Sequence, residues 1–202
     1  MDYSGCDELK VNRMGEVLHD ADIRDGLCDY LEEQYGKVRF FDELTMGRSR
    51  ADIVMVTEQG LIGVEIKSDA DTYERLSRQV KDYDRFFDYN YVVVGTRHAH
   101  HIREHVPEYW GVITVEQQEC GLDFYLLREP QLCPKVKLTN QMSLLWRREF
   151  AVLQKENGLY KYPGKSKAYV KKYLMDSVSE EELKKQMIEI LFERDYSVFK
   201  NH

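Results

Sequence analysis

Two acids and a lysine in the first third of the chain, Asp52, Glu65 and Lys67, have the types and spacing that metal-assisted hydrolysis needs. On a β-strand, residues two apart share a face, so Glu65 and Lys67 should project together while Val64 and Ile66 point into the core. A hairpin would bring Asp52 beside them. Oxygen atoms of Asp52, Glu65 and the Ile66 carbonyl can hold Mg²⁺ or Mn²⁺, and Lys67 can orient a water or neutralise developing charge. The pattern indicates phosphodiester hydrolysis.

The spacing alone also occurs on a surface hairpin with a Glu/Lys ion pair, so the neighbouring elements matter. Residues 51–57 and 61–68 read as two apolar strands joined by a tight turn. Between residues 71 and 88, apolar side chains recur at steps of three and four, which predicts an amphipathic helix capped by Asp71. A strand over 91–95 follows, so the chain should cross over and run parallel to the preceding strand.

The remaining pattern completes a mixed α/β domain with a helical appendage. Asp20 or Asp22 caps a first helix that ends at Gly36, and further strands are predicted at residues 37–45, 111–115 and 122–127. After Pro130 the strands give way to helices over 140–156 and 167–194, with a new start at Ser179, where Glu182 completes a capping box. We therefore predict one domain over 1–130 and a helical appendage over 131–202.

Gln79 and Tyr83 lie four residues apart on one face of the predicted helix. With Asp52 and the E-I-K strand, they resemble the PD-(D/E)XK nuclease superfamily, in its RecB-like branch with the Q-x-x-x-Y motif. The stretches 69–76 and 106–112 are similar to a group of small bacterial and phage members whose role is not established. The resemblance implies a restriction-endonuclease-like core of helix, three strands, helix and strand in a mixed sheet. It makes Asp52, Glu65, Lys67, Gln79 and Tyr83 the catalytic residues, although Tyr83 also belongs to the buried stripe.

One position of that family pattern differs, and two stay open. Ala51 stands where the superfamily's name has a proline. Glu43, on the preceding strand, is the preferred third carboxylate of the metal site, which also takes Asp52, Glu65 and the Ile66 carbonyl, and a solvated strand acid is the alternative. The glutamate of the first helix is open among Glu16, Glu32 and Glu33.

The charge is unevenly distributed. The chain carries a formal charge of −7, but residues 131–175 alone carry +8. A basic segment beside an acidic site is typical of an enzyme that acts on a polyanion. A solvated helical face or a helical dimer interface would give the same excess of positive charge. Candidate nucleic-acid contacts are Arg50, Arg75, Arg147, Arg148, Lys165, Lys167, Lys171 and Lys172; Arg50 and Arg75 could instead hold the acids in place.

Other signals are weaker. The four cysteines lack the spacing of a zinc ribbon, redox pair or iron–sulfur cluster. The H-x-x-E-H motif at 101–105 lies between two predicted strands rather than on the long helix that a zinc peptidase needs. Gly164-Lys165-Ser166 lacks the earlier glycine of a phosphate-binding loop. No apolar run approaches membrane-spanning length and the first residues are acidic, so we expect a cytoplasmic protein.

The sequence thus predicts a metal-dependent nuclease, with DNA favoured over RNA as its substrate. The alternative is a nuclease-fold module with little turnover that binds nucleic acid or a protein partner. The choice between DNA and RNA, strandedness, endo or exo cutting, sequence specificity, pathway and oligomeric state, including a homodimer, stay open.

Overall fold

A computed structural model describes residues 20–68, 73–119 and 121–195, which form a six-stranded mixed sheet with helices on both faces. The helices are α1 (Asp20–Tyr35), α2 (Leu76–Phe86), α3 (Ala99–His105), α4 (Leu138–Gln141), α5 (Arg147–Glu156), α6 (Lys167–Ser177) and α7 (Glu180–Phe192). The strands are β1 (Arg39–Met46), β2 (Ser49–Thr57), β3 (Gly60–Lys67), β4 (Tyr89–Gly95), β5 (Gly111–Gln118) and β6 (Gly121–Arg128). None of the helices in these ranges is both long and apolar enough to cross a bilayer.

The strands lie side by side in chain order, β1 to β6. The β2–β3 hairpin is antiparallel, as predicted, and turns at Gly60, whose φ of 141° suits a residue without a side chain. After α2, β4 returns parallel to β3, which confirms the predicted crossover, and β5 is parallel to β4. The predicted order of helix, three strands, helix and strand is therefore present, and β5 and β6 extend the sheet.

The two faces of the sheet bury separate cores. On one face, Ile23, Leu27 and Leu31 of α1 pack on apolar residues that include Val64 and Ile66. As predicted, α1 ends at Gly36, which adopts a φ of 71°.

The opposite face is covered by α2 and by the helices that follow residue 131. Phe150, Leu174 and Leu183 belong to the same buried cluster as Val54 and Val92 of the sheet. The C-terminal helices and the sheet thus share one continuous core across residue 131.

Two ion pairs with buried carboxylates hold these helices in place. Asp88, fully buried after α2, accepts hydrogen bonds from Leu61 N–H and from Gln141 Nε2 at 2.9 Å each, and it pairs with Lys184. Arg194 donates to both carboxylate oxygens of Glu149, at 2.7 and 2.8 Å. The Asp88–Lys184 pair joins the appendage to the segment after α2, whereas the Arg194–Glu149 pair links the end of α7 to α5 within the appendage.

The helix starts differ in part from the sequence predictions. The predicted cap at Asp71 lies outside the described residues; a short 3₁₀ helix, Tyr73–Arg75, leads into α2. Within the predicted helical stretch 167–194, the predicted new start at Ser179 is confirmed, since α6 ends at Ser177 and the Ser179 hydroxyl accepts from Glu182 N–H at 3.3 Å. The Glu182 carboxylate accepts from Gln186 Nε2 instead of the Ser179 N–H, so the predicted capping box is only half formed.

Candidate active site

The candidate site lies where β2 and β3 separate. Their pairing runs from Thr57 opposite Gly60 to Ile53 opposite Val64. Beyond that pair, the Ile66 N–H donates to Asp52 Oδ2 at 2.8 Å. A side-chain carboxylate therefore takes the acceptor role that the neighbouring strand fills elsewhere, since a buried backbone N–H needs a partner.

The alternation of faces changes at the same place. In a regular strand, every second side chain faces the same side of the sheet. In β2, Ala51, Val54 and Val56 all face α2, so this alternation shifts by one residue at Asp52. On β1 the change falls at Glu43, which has a left-handed φ of 53° and lies between the pairs Asp42–Ile53 and Leu44–Ala51. These irregular positions face one another and mark the opening of the cleft.

Glu65 and Lys67 share the α2 face of β3, as the two-residue spacing predicts. Glu65 is 1% exposed and Lys67 is 11% exposed, and Lys67 Nζ lies 2.5 Å from Glu65 Oε1. Gln79 Nε2, from the first turn of α2, donates to the same oxygen. Burial raises the pKa of the Glu65 carboxyl above its ordinary value, against the opposing effect of contacts with Lys67, Tyr83 and Gln79.

Tyr83 joins the two strands beneath the cleft. Its hydroxyl donates to the Val64 carbonyl at 3.1 Å and accepts from Asp52 N–H at 3.3 Å. The ring is fully buried, with centroids 5.3 Å from both Phe87 and Trp110. This tyrosine is a positioning residue, because it holds Asp52 and Val64 rather than opening into the cleft.

Gly63 makes room for that ring. A Cβ at this position would lie 2.2 Å from Phe87 and 2.7 Å from Tyr83. The close approach of α2 to β3, and with it the placement of Gln79, depends on a glycine here.

The resulting cleft has a volume of about 420 Å³ and carries both signs of charge. Asp52 and Glu65 form its acidic part, and Lys67 lies beside them. Its other cations are Arg48, Arg50, Arg75 and Arg78, all exposed. The predicted residues Arg50 and Arg75 are thus in the cleft. Arg48 and Arg78 were missed, although Arg78 lies three residues from Arg75, a spacing that places both on one side of a helix.

Glu43 is placed differently from the other predicted acids. Its carboxylate pairs with Arg50 at 3.1 Å, with both side chains at least half exposed, and it does not line the cleft. Across residues 20–68, 73–119 and 121–195, no three His, Cys, Asp or Glu side chains are grouped to hold a metal ion. Glu32 and Glu33 are exposed on α1, and Glu16 lies outside the described residues.

The donor atoms present nevertheless suit a hard cation. Glu65 Oε2 and Gln79 Oε1 are buried and accept no hydrogen bond from the described residues. Asp52, Glu65 and the Ile66 carbonyl would provide oxygen ligands only. Mg²⁺ commonly binds through one or two carboxylates and keeps several waters for substrate phosphates, so two acids are a sufficient protein contribution.

The basic residues of the appendage mostly contact the protein itself. Arg147 donates to the Tyr162 and Lys165 carbonyls, at 2.8 and 2.9 Å, and Arg148 donates to the Asp195 carbonyl. Lys167 donates to the Ser143 carbonyl at 2.7 Å, and Lys171 to the Thr139 carbonyl at 2.9 Å. Lys165 lies 5.2 Å from the Tyr169 ring centroid, and Lys172 is exposed. Most of these cations therefore stabilise the appendage.

The sequence did not identify the buried aspartates of α2. Asp84 accepts from Tyr109 Oη at 2.6 Å, from Trp110 Nε1 at 2.9 Å and from Lys135 Nζ at 3.0 Å. Asp82 accepts from Ser49 Oγ at 2.6 Å, which fixes the start of β2 beside the cleft. Because their partners lie distant in sequence, periodicity carries no signal for these contacts.

Fold and site together define a mixed α/β protein with a charged cleft at a split between two strands. The model of the bacteriophage P4 protein cII family matches residues 13–201, and the chain belongs to that family. Protein cII of Enterobacteria phage P4 is 21% identical over 150 residues, which make up 72% of this chain and 56% of the relative. The chain thus spans just over half the length of that curated relative.

Two solved structures show weak similarity. The SPO1766 protein of unknown function from Silicibacter pomeroyi is 15% identical, with a TM-score of 0.45 over 70% of this chain and 91% of that one. Pyrococcus furiosus SfsA, solved in complex with Ca²⁺, is 16% identical, with a TM-score of 0.32 over 55% and 60% of the two chains. Both scores are too low to establish a shared fold.

Proposed function

We propose that this protein is a metal-dependent nuclease of the PD-(D/E)XK type that hydrolyses phosphodiester bonds, with DNA as the preferred substrate. The observation that supports it most is the hydrogen bond from Ile66 N–H to Asp52, which brings Asp52 to the strand that carries Glu65 and Lys67. The order of helix, three strands, helix and strand is consistent with a restriction-endonuclease-like core.

The cleft residues have distinct roles in this proposal. Asp52 and Glu65 would hold Mg²⁺ or Mn²⁺, which when bound polarises the phosphate and lowers the pKa of a water. Lys67 neutralises negative charge that develops on the phosphate, and Gln79 holds the Glu65 carboxylate in place. The surrounding arginines, among them Arg75 and Arg78, bind phosphate oxygens in bidentate fashion and orient the substrate.

A cleavage assay tests the proposal. Purified protein is incubated with linear double-stranded DNA, single-stranded DNA and RNA, with Mg²⁺ or with Mn²⁺. We expect metal-dependent cleavage that Glu65→Ala and Lys67→Ala abolish. The control Lys81→Ala changes an exposed lysine on α2 that does not line the cleft, and it should leave cleavage intact. Equal cleavage by wild type and both cleft variants, or none by wild type on any substrate, would refute the nuclease.

A second candidate is a binding module with little turnover. The Glu65–Lys67 ion pair favours it, since Lys67 and Gln79 already occupy one oxygen of the principal metal ligand. Calorimetry with Mn²⁺ separates the two candidates. A nuclease site should bind Mn²⁺ and lose that binding in Asp52→Asn, whereas a module without a metal site should bind no Mn²⁺ in either form.

A further inference from the structure

A second cavity lies on the other face of the sheet, between α1 and the strands. It has a volume of about 340 Å³, within the range of small-molecule pockets. Its lining includes Ile62 and Tyr89, which are paired near the starts of β3 and β4, whereas Glu65 and Lys67 lie at the other end of β3. The cavity shares no lining residue with the charged cleft. Any function it has is separate from the proposed hydrolysis.

Four tyrosines surround this cavity, and we call it the tyrosine pocket: Tyr30, Tyr35, Tyr89 and Tyr91. The Tyr35 and Tyr91 hydroxyls are hydrogen bonded at 2.8 Å, which fixes both rings. The Tyr30 ring is stacked on Phe124, with centroids 5.5 Å apart, so one face is already packed and its orientation is set. The aromatic walls are thus held in place before any ligand binds.

The charge of the tyrosine pocket is negative. Glu129 is the charged residue among those that line it, with Gln34 and Gln59 as the amides. Besides burial, the Glu129 carboxylate contributes to raising the pKa values of Tyr30, Tyr35 and Tyr91, so the phenols stay neutral beside it. Tyrosine π-faces and a carboxylate favour a cation and disfavour an anion.

We propose that the tyrosine pocket binds an organic cation, an ammonium group carried on a compact apolar body. An aromatic wall attracts such a group through the ring quadrupole, while water hydrates an alkylated ammonium less strongly than a small metal ion. Glu129 supplies the countercharge at the rim. The cavity is large enough for a ligand of several carbon atoms beyond the charged group.

The test uses choline as the probe and 3,3-dimethylbutan-1-ol, its uncharged carbon isostere, as the control ligand. Calorimetry on the full chain should show saturable one-site binding of choline. The isostere should bind about 2- to 30-fold more weakly, as expected when the cation–π contribution is removed. Equal affinities for the two ligands, or no saturable choline binding, would overturn the proposal.

Variants identify the site. Glu129→Gln changes an exposed side chain, so the fold should be kept, and it should weaken choline binding while leaving the isostere unaffected. Tyr30→Leu should weaken choline binding as well, with circular dichroism used to verify folding. Glu156→Gln, an exposed acid at the end of α5, is the matched control and should bind as wild type does. Unchanged choline affinity in Glu129→Gln would place the cation elsewhere and refute the assignment, whatever the outcome of the cleavage assay.

Discussion

Asp52 Oδ2 accepts a hydrogen bond from the Ile66 N–H at 2.8 Å, beyond the last backbone pair between β2 and β3. This contact lies at the opening of the cleft and, with the Tyr83 hydroxyl, holds Asp52 beside the strand that carries Glu65 and Lys67. The strands separate without leaving the Ile66 amide unpaired, because the carboxylate replaces a backbone acceptor.

Tyr83→Phe should destabilise the protein by about 1–3 kcal/mol, because the Val64 carbonyl and the Asp52 N–H both lose a buried partner. Urea unfolding measures the change. Tyr125→Phe is the control, since that side chain is 48% exposed, and it should shift stability by no more than about 0.5 kcal/mol. Similar unfolding midpoints for both variants would show that the Tyr83 hydroxyl does not join the strands.

Gly63→Ala should destabilise the protein by about 1–3 kcal/mol or more, because the added methyl group would clash with the Phe87 and Tyr83 rings. Gly164→Ala, where a Cβ meets no atom within 4 Å, provides the control and should be nearly neutral. Thermal unfolding of the two variants gives the comparison. A neutral Gly63→Ala would mean that α2 can move away from β3 at little cost.

Sequence periodicity predicts which face a side chain takes but not where two strands separate. Alternation placed Glu65 and Lys67 on one face of β3 and Ile66 in the core, and helical spacing placed Gln79 and Tyr83 on one side of α2. Neither periodicity indicates where strands stop pairing, so the changes of face at Glu43 and Asp52 were unforeseen. The same limit applies to the appendage: its positive charge was evident, but the carbonyl partners of its cations arise from long-range packing.

The buried Glu65 gives a pH dependence of stability. Its pKa is raised in the folded protein, so between the ordinary value of 4.5 and the folded value the native state keeps a proton that the unfolded chain has lost. The free energy of unfolding should therefore fall as pH rises through that window and level off above it. The Glu65→Gln variant should lack this component, and Glu116→Gln, an exposed strand acid, should retain it. If the free energy of unfolding of wild type minus that of Glu65→Gln rose with pH, the raised pKa of Glu65 would be contradicted.

Arg194→Ala should cost about 3–5 kcal/mol, because it leaves the Glu149 carboxylate buried without its bidentate partner. Lys172→Ala, which removes an exposed cation from α6, should be nearly neutral. Chemical denaturation of both variants provides the measurement. If Arg194→Ala were as stable as Lys172→Ala, the link between α5 and the end of α7 would not depend on this ion pair.

The placement of the basic residues predicts which of them bind DNA under the proposed function. Arg75→Ala with Arg78→Ala should flatten the salt dependence of DNA binding by about one unit of slope for each phosphate that the variant no longer neutralises. Lys167→Ala with Lys171→Ala should change the slope less, because both side chains donate to carbonyls of the appendage. Fluorescence anisotropy across a salt series tests this order, and a larger effect of the lysine pair would reverse it.

Single-turnover cleavage of a labelled linear DNA with Mn²⁺ and enzyme in excess is the decisive measurement for the proposed hydrolysis, because saturating enzyme separates chemistry from binding. We expect wild type and Lys81→Ala to cleave at similar rates, and Lys67→Ala and Asp52→Asn to bind the DNA but lose cleavage by roughly 100-fold or more. Cleavage by Lys67→Ala at the wild-type rate, or the absence of cleavage by wild type when DNA is bound, would contradict the proposed hydrolysis.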